Sequence, residues 1–175
     1  MISTESFNGR MLTEEVMELG EGPAYDPISG SLFWFDILGK TLCELDVEGG
    51  QLKKHALPFL GSVIAVIDDK RQLIASDQGL FLRDSASGTL SSYAAIEDKP
   101  QNRSNDGRVH PSGALWIGTM SRTAETGAGA IYHVSGTTVT KIFDAVSIHA
   151  PLGSIVNPRP PAAVGARSIT CQKVC

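Results

Sequence analysis

The chain has 175 residues, of which 42% are hydrophobic and 19% are charged, and its formal net charge is -4 at pH 7. This length suits one globular domain, and a mildly acidic chain without a basic patch excludes nucleic acid as its main partner. No run approaches the roughly 20 apolar residues of a membrane span, and the first residues lack the basic start and apolar core of a signal peptide. We therefore expect a soluble, cytoplasmic protein that binds neither nucleic acid nor membranes.

The chain opens with its one stretch of helical character. Residues 13–19 predict a short helix that leads the chain into the first strand. Beyond it, 18 glycines and few long runs with a period of 3.6 residues indicate turns and strands rather than helices. The sequence therefore predicts an all-β fold.

A repeated unit follows the first turn. Leu32, Leu73 and Leu115 lie 41 and 42 residues apart, each after a turn and within a strand-like run. This period falls in the range of four-stranded β-propeller blades. The predicted inner strands are residues 20–25, 62–67 and 105–109, the third strands are residues 41–46, 79–84 and 130–134, and the fourth strands are residues 52–58, 90–96 and 139–144. With second strands around the three leucines, the sequence predicts three blades of four short strands each.

Glu21 lies between two glycines, near the expected inner edge of the first blade. Two interpretations stay open for this residue. It is either a solvated loop glutamate or a carboxylate that points into the central channel of the propeller. In the second case Glu21 would be a hard oxygen ligand for a divalent cation, which needs further oxygen donors from other blades.

A polar cluster precedes the hairpin of the third unit. Residues 102–107 read Asn-Arg-Ser-Asn-Asp-Gly, and they are followed by a predicted turn and then by an apolar strand. Asn, Asp and Gly are the usual turn residues, so one interpretation is an ordinary turn. The other is a polar site, because the same layout occurs in the two earlier units. For Asp106 both alternatives stay open: it reaches the channel, or it belongs to a tight Asn-Asp-Gly turn.

The remaining polar and aromatic residues have structural interpretations. His110 and His133 follow the strand pattern and are predicted to lie in a turn or on a strand face. Trp34 and Trp116 are assigned to equivalent repeat positions, which indicates packing between blades.

Cysteine is used sparingly. Cys43 lies in a predicted strand, where we expect a buried thiol that behaves as a small hydrophobic group. Cys171 and Cys175 have no second cysteine pair and no well-placed histidines to complete a zinc site. A reducing compartment fits this usage.

Taken together, these motifs resemble the regucalcin (senescence marker protein)/gluconolactonase/LRE-like family. The resemblance rests on Gly-Glu-Gly-Pro at residues 20–23 with the strand at residues 32–37, and on residues 102–107 with Gly-Thr-Met at residues 118–120. It runs from about residue 17 to residue 148 and keeps the order and separation of the family's motifs. It covers only the N-terminal half of the family's propeller.

The resemblance implies a six-bladed propeller that holds one divalent metal in its channel and hydrolyses sugar lactones to aldonic acids. By matching motifs, Glu21 takes the place of a metal ligand, and Arg103 and Asn105 take the places of residues that hold the oxygens of the substrate. These chemical types suit the task, because a guanidinium and an amide can bind hydroxyl and carbonyl oxygens. Oxygen ligands favour calcium, with zinc, manganese or magnesium as alternatives.

Three of the family's functional positions are not assigned in this chain. The acidic side chain that the family uses shortly after Gly-Thr-Met is not carried over, because Ser121, Arg122, Thr123 and Ala124 intervene before Glu125. The family's Pro-Asn-Gly-like segment with the second metal ligand has no matching segment. The late aspartate that completes the metal site and accepts a proton is also missing, so the catalytic residue stays unassigned.

The pattern of strands stops after Ile148. Prolines cluster there, and the repeat is lost, so we expect half a propeller in residues 1–148 and an unrelated, Pro-rich and disordered tail in residues 149–175. Our hypothesis is that the coding sequence was interrupted near Ile148 by a frameshift or an equivalent event. Three blades leave open edges, which predicts self-association. Two functional hypotheses follow: a metal-dependent sugar lactonase, or a non-catalytic truncated propeller with residual cation or sugar binding.

Overall fold

The computed structural model describes residue 9 and residues 11–148, and within them it consists of strands and turns with no helix. The first sheet contains β1 (Gly20–Asp26), β2 (Ser31–Asp36), β3 (Thr41–Asp46) and β4 (Leu52–Ala56). The second contains β5 (Gly61–Val66), β6 (Arg71–Ser76), β7 (Gly79–Asp84) and β8 (Leu90–Ala94). The third contains β9 (Asn102–Val109), β10 (Leu115–Ser121), β11 (Gly129–Ser135) and β12 (Thr138–Val146).

Each sheet is an antiparallel meander whose strands lie in chain order, so each is one propeller blade. The predicted all-β fold and the three four-stranded blades are confirmed. Two of the predicted third strands agree with β3 and β7 at both ends. The largest difference at an inner strand concerns β9, which begins at Asn102 rather than at Asn105. The predicted tail of residues 149–175, with its two cysteines, lies outside the described residues.

The prediction of a helix over residues 13–19 is wrong. This segment has no regular secondary structure. A seven-residue helix is marginal in water because its nucleation is costly. The side chain of Asp36 instead accepts hydrogen bonds from the backbone N–H groups of Leu19 (3.0 Å) and Glu18 (3.2 Å). The end of the segment is thereby fixed to the first blade.

The hydrophobic core lies between the blades rather than within them. Alternate side chains of each strand point to opposite faces of its sheet, so the second blade packs on the first with one face and on the third with the other. We call these two contacts the first interface and the second interface. The first interface is formed by buried residues that include three phenylalanines: Phe33, Phe35, Ile37, Leu42, Leu57, Phe59, Ile64 and Ile74. The second is formed by smaller side chains: Val63, Ala65, Leu73, Ala75, Leu80, Ile96, Leu115, Ile117, Ala130, Tyr132 and Val134.

The two tryptophans do not occupy equivalent positions, which corrects the prediction. Trp34 alternates with Phe33 and Phe35, which face the second blade, so Trp34 lies on the face of the first blade that points away from it. Trp116 likewise lies on the far face of the third blade, where its ring meets His133 edge-on with ring centroids 5.2 Å apart. Neither tryptophan therefore packs between two of the described blades.

Other local predictions are confirmed. Cys43 is a free, buried thiol in β3. His110 lies in the turn between β9 and β10, where its Nδ1 accepts a hydrogen bond from the backbone N–H of Ser112 (3.1 Å). His133 lies on a strand face of β11. The described residues include no helix with the length and apolar character that crossing a membrane requires.

Candidate functional site

The polar cluster of residues 102–107 forms an inner strand and not a turn. In β9, Ser104 pairs with Thr119 of β10, whereas the next registered pair is Gly107 with Ile117. Asn105 and Asp106 therefore lie together opposite a single residue of β10, which is a β-bulge. A bulge redirects side chains that strict alternation would send to the two faces of the sheet. It places the polar residues of this cluster at the inner edge of the third blade.

The strand that carries Glu21 also contains a β-bulge. In β1, Glu21 pairs with Phe35 and Ala24 pairs with Phe33, so an extra residue is again accommodated between them. Gly22 lies in this bulge with a φ of 65°. A Cβ atom at Gly22 would lie 2.2 Å from the carbonyl oxygen of Ser62. Only glycine therefore allows β1 and β5 to approach this closely beside Glu21.

The inner strand of the second blade joins the other two. The hydroxyl groups of Ser62 and Ser104 are hydrogen bonded at 2.7 Å, and both side chains are buried. Ser62 thus contacts the first blade through its carbonyl and the third blade through its hydroxyl. This connection fixes the distance between the strand that carries Glu21 and the strand that carries Arg103.

Arg103 is the central cation of the site. Its Nη1 donates hydrogen bonds to the carbonyl oxygen of Ser104 (2.9 Å) and to Oδ1 of Asn105 (3.2 Å). Burial lowers the pKa of the Arg103 guanidinium, the nearby negative charge of Glu21 opposes this shift, and the positive charge of Arg122 adds to it. The structure therefore brings together the three residues that the sequence selected, Glu21, Arg103 and Asn105.

Asp106 has a local role in this arrangement. It lies within β9, so the tight-turn alternative is wrong. Its Oδ1 accepts hydrogen bonds from the backbone N–H of Gly107 (2.8 Å) and from Nη1 of Arg108 (3.2 Å). These contacts stabilise the bulge that positions Asn105.

A second group of polar residues beside Arg103 was not selected from the sequence. Glu97, in the connection between the second and third blades, accepts hydrogen bonds from Nδ2 of Asn102 (2.9 Å) and from the hydroxyl of Tyr132 (2.8 Å). Lys99 Nζ and Asn102 Nδ2 both donate to the carbonyl oxygen of Ala128 at 2.9 Å. Burial and the contact with Glu97 raise the pKa of Tyr132. We call these residues around Asn102 the polar cage. The polar cage fixes Asn102, the first residue of β9, directly before Arg103.

The polar cage also borders a small cavity between the second and third blades. Asp77, Lys99, Asn102 and Arg103 are among its lining residues. Asn102 is 2% exposed, and its Oδ1 is a buried polar atom without a hydrogen-bond partner among the described residues. The only sequence signal for this region is the charged run at residues 97–99, which resembles an ordinary solvated connection.

Glu21 alone cannot hold a metal ion. Among residues 9 and 11–148, no group of three or more His, Cys, Asp and Glu side chains is placed to bind one. A calcium ion takes six to eight oxygen ligands. Glu21 therefore has no cluster of further His, Cys, Asp or Glu ligands around it in the described half of the propeller.

The three blades define the chain as part of a β-propeller with a cluster of polar residues at its inner strands. Comparison with known proteins then identifies the family: residues 19–153 match the SMP-30/Gluconolactonase/LRE-like region, and the chain belongs to this family. The family resemblance that the motifs indicated is confirmed.

Individual relatives agree with this assignment. The chain is 61% identical over 142 residues to a Rhizobium meliloti (strain 1021) protein named "Putative sugar lactone lactonase", covering 81% of this chain and 48% of the relative. It is 31% identical over 118 residues to the 6-deoxy-6-sulfogluconolactonase of Pseudomonas putida, covering 66% of this chain and 40% of the relative. The crystal structure of a regucalcin from Agrobacterium tumefaciens str. C58, described as a calcium-binding protein, has a TM-score of 0.79 and 61% identity, covering 81% of this chain and 48% of that chain.

The chain spans about half the length of the curated relatives it matches. Its described blades correspond to half of a regucalcin-like, six-bladed propeller.

Proposed function

We propose that this protein acts in the metal-dependent hydrolysis of a sugar lactone to the corresponding aldonic acid. One observation carries the proposal: Glu21, Arg103 and Asn105 come from inner strands of two blades that a third inner strand holds at a fixed separation. The names of the relatives support lactone hydrolysis.

Arg103 and Asn105 suit the binding of the substrate. The guanidinium of Arg103 is half-buried and keeps its charge, so its N–H groups can donate to hydroxyl and carbonyl oxygens of a sugar lactone. Nη1 already donates to Ser104 and Asn105, which orients the guanidinium plane. Asn105 lies in the bulge, so its backbone position does not depend on the substrate.

Glu21 suits a single position in the coordination of a divalent cation. When bound, such a cation lowers the pKa of a coordinated water and polarises the lactone carbonyl. Glu21 would supply one hard oxygen ligand, and residues 11–148 provide no cluster of three His, Cys, Asp or Glu side chains to complete the site. Calcium is the cation that the ligand type favours.

The hydrolysis itself needs a water molecule and two proton movements. Water adds to the lactone carbonyl carbon and gives up a proton, the bond between this carbon and the ring oxygen breaks, and the ring oxygen takes up a proton. Arg103 and Asn105 would hold the substrate during these steps. We assign no proton acceptor to the described residues.

The proposal is tested by acid release from a panel of aldonolactones, with the purified chain, in the presence of calcium, manganese or zinc and after chelation. We expect metal-dependent turnover that falls at least about 100-fold in Glu21→Gln and Arg103→Ala, because each removes a group that contacts the metal or the substrate. Calorimetric titration of calcium should lose its binding signal in Glu21→Gln.

Two matched variants control for nonspecific effects of charge removal. Glu48→Gln changes an exposed glutamate in a turn of the first blade, and Arg71→Ala changes an exposed arginine at the start of β6, away from the site. Both should keep wild-type turnover. A folded wild-type chain with no turnover above the spontaneous rate would contradict the proposed activity for this polypeptide.

A further inference from the structure

One ion pair connects two blades at the site. Arg122, which directly follows β10 of the third blade, places Nη2 2.6 Å from Oδ2 of Asp77, which follows β6 of the second blade. Every other ion pair among residues 11–148 lies within one blade or between the first blade and the segment before it. Among the described residues, this pair is therefore the ion pair that joins two blades.

Asp77 is held at the wall of the cavity that Arg103 also lines. Its side chain is only 8% exposed, and its Oδ1 accepts a hydrogen bond from the backbone N–H of Leu60 (2.9 Å). A carboxylate removed from water in this way attracts any guanidinium within reach, because charge-assisted hydrogen bonds strengthen as solvent is excluded. Arg122 is paired with this carboxylate, and Arg103 lines the same cavity.

Arg103 takes no part in the ion pairs found among residues 11–148. In the part of the chain that the structure describes, its Nη1 donates to the neutral oxygens of Ser104 and Asn105. The carboxylate of Asp77 is instead occupied by Arg122, whose own backbone N–H donates to the carbonyl oxygen of Gln101 (3.0 Å), just before β9. The start of β9 therefore positions both arginines, because β9 contains Arg103 and the residue before it binds the backbone of Arg122.

We propose that Arg122 is a positioning residue: by pairing with Asp77 it prevents this carboxylate from capturing Arg103, and the guanidinium of Arg103 stays available to substrate oxygens. The identity of the substrate rests on the proposed function. The like charge of Arg122 acts in the same direction, since it disfavours an approach of Arg103 to the Asp77 side of the cavity.

In a double-mutant cycle, we expect the second substitution to reverse the rise in KM that the first one causes. Arg122→Gln frees the carboxylate of Asp77, so Arg103 should turn to it, and KM for the lactone should rise about tenfold with little change in kcat, as expected when one charged binding group is lost. Adding Asp77→Asn removes the competing carboxylate while Oδ1 of the new side chain still accepts from Leu60. The double variant should return to within about twofold of the wild-type KM.

A purely mechanical role for the ion pair makes the opposite prediction. If the pair only joins the two blades, Asp77→Asn alone raises KM, and the double variant is at least as impaired as Arg122→Gln. Either result would overturn the inference. Arg122→Lys keeps a positive charge next to Asp77, so its KM should stay close to the wild-type value. It is the second variant if Arg122→Gln does not fold. Arg71→Gln removes an exposed arginine paired with Asp68 in a distant turn and serves as the matched control.

A crystal structure of Arg122→Gln separates this inference from the proposed activity. We expect the guanidinium of Arg103 within 4.0 Å of the Asp77 carboxylate in the variant, whether or not the chain hydrolyses lactones. An unchanged Arg103 would overturn the inference. Absence of lactone turnover in the wild type, with Arg103 displaced in the variant, would count against the proposed function alone.

Discussion

The two interfaces between neighbouring blades are built from different side chains. The first interface contains Phe33, Phe35 and Phe59, each at most 2% exposed, and the ring of Phe59 stacks on Phe81 with centroids 4.5 Å apart. The second interface is formed mainly by alanine, valine, leucine and isoleucine. Large aromatic side chains bury more apolar area per residue, so single core residues contribute more to the first interface than to the second.

The second interface compensates with polar contacts near the channel. The Ser62–Ser104 hydrogen bond and the Asp77–Arg122 ion pair both cross it beside Arg103. Such contacts are directional, whereas hydrophobic burial is not. The comparison shows that the first interface mainly stabilises the fold, while the second also determines where Arg103 lies.

The largest expected effect concerns the first interface. Phe35 is fully buried, and Phe35→Ala should lower the free energy of unfolding by about 3–5 kcal/mol, because it removes a large apolar side chain and leaves a cavity. Ile117→Ala in the second interface should cost less, about 2–4 kcal/mol. Urea denaturation of both variants checks the comparison. Phe143→Ala, at a side chain that is 53% exposed, is the control and should change stability by less than about 0.5 kcal/mol. An equal or larger loss in Ile117→Ala would contradict our ranking of the interfaces.

An intermediate effect is expected where the first two inner strands meet. Gly22→Ala should cost about 3 kcal/mol or more, since it combines a left-handed backbone with a contact to the Ser62 carbonyl that forces β1 and β5 apart. Gly30 has a similar φ of 69° but open space around its Cα, so Gly30→Ala isolates the backbone penalty of about 1–2 kcal/mol. Thermal unfolding of the two variants measures the difference. Equal losses would show that the close approach of β1 and β5 is not needed.

The smallest expected effect concerns the buried serine pair. Ser62→Ala and Ser104→Ala should each cost about 1–2 kcal/mol, because each leaves the other hydroxyl buried without its partner. The double variant should be less destabilised than the sum of the two, with a coupling of about 1 kcal/mol in a double-mutant cycle. Additive losses would mean that this hydrogen bond does not connect the second and third blades.

The strands could be predicted because their signal is local. Apolar alternation and the turns between strands lie within a few residues of each other, and repetition of the unit reinforced the pattern. Glu21, Arg103 and Asn105 were selected as candidates because each lies in a short motif that resembles the family's. The helix at residues 13–19 was wrong because a distant residue, Asp36, binds the backbone of this segment.

Other features depend on partners that are far apart in the chain. The bulges in β1 and β9 arise from the register with β2 and β10, which a single strand does not reveal. The two tryptophans were misplaced because shifting an alignment by one residue moves a side chain to the other face of the sheet.

By itself, the sequence determined the blades and their order and the three candidate site residues, because period-2 alternation, turn residues and short motifs act over short distances. Only the tertiary structure decided which faces pack together and where the bulges direct the polar side chains. It also decided that Arg122 pairs with Asp77, which lies 45 residues away in the chain. The reason is physical: packing between sheets and the strength of ion pairs depend on burial and on the distance between side chains in space, and neither quantity exists until the blades have assembled.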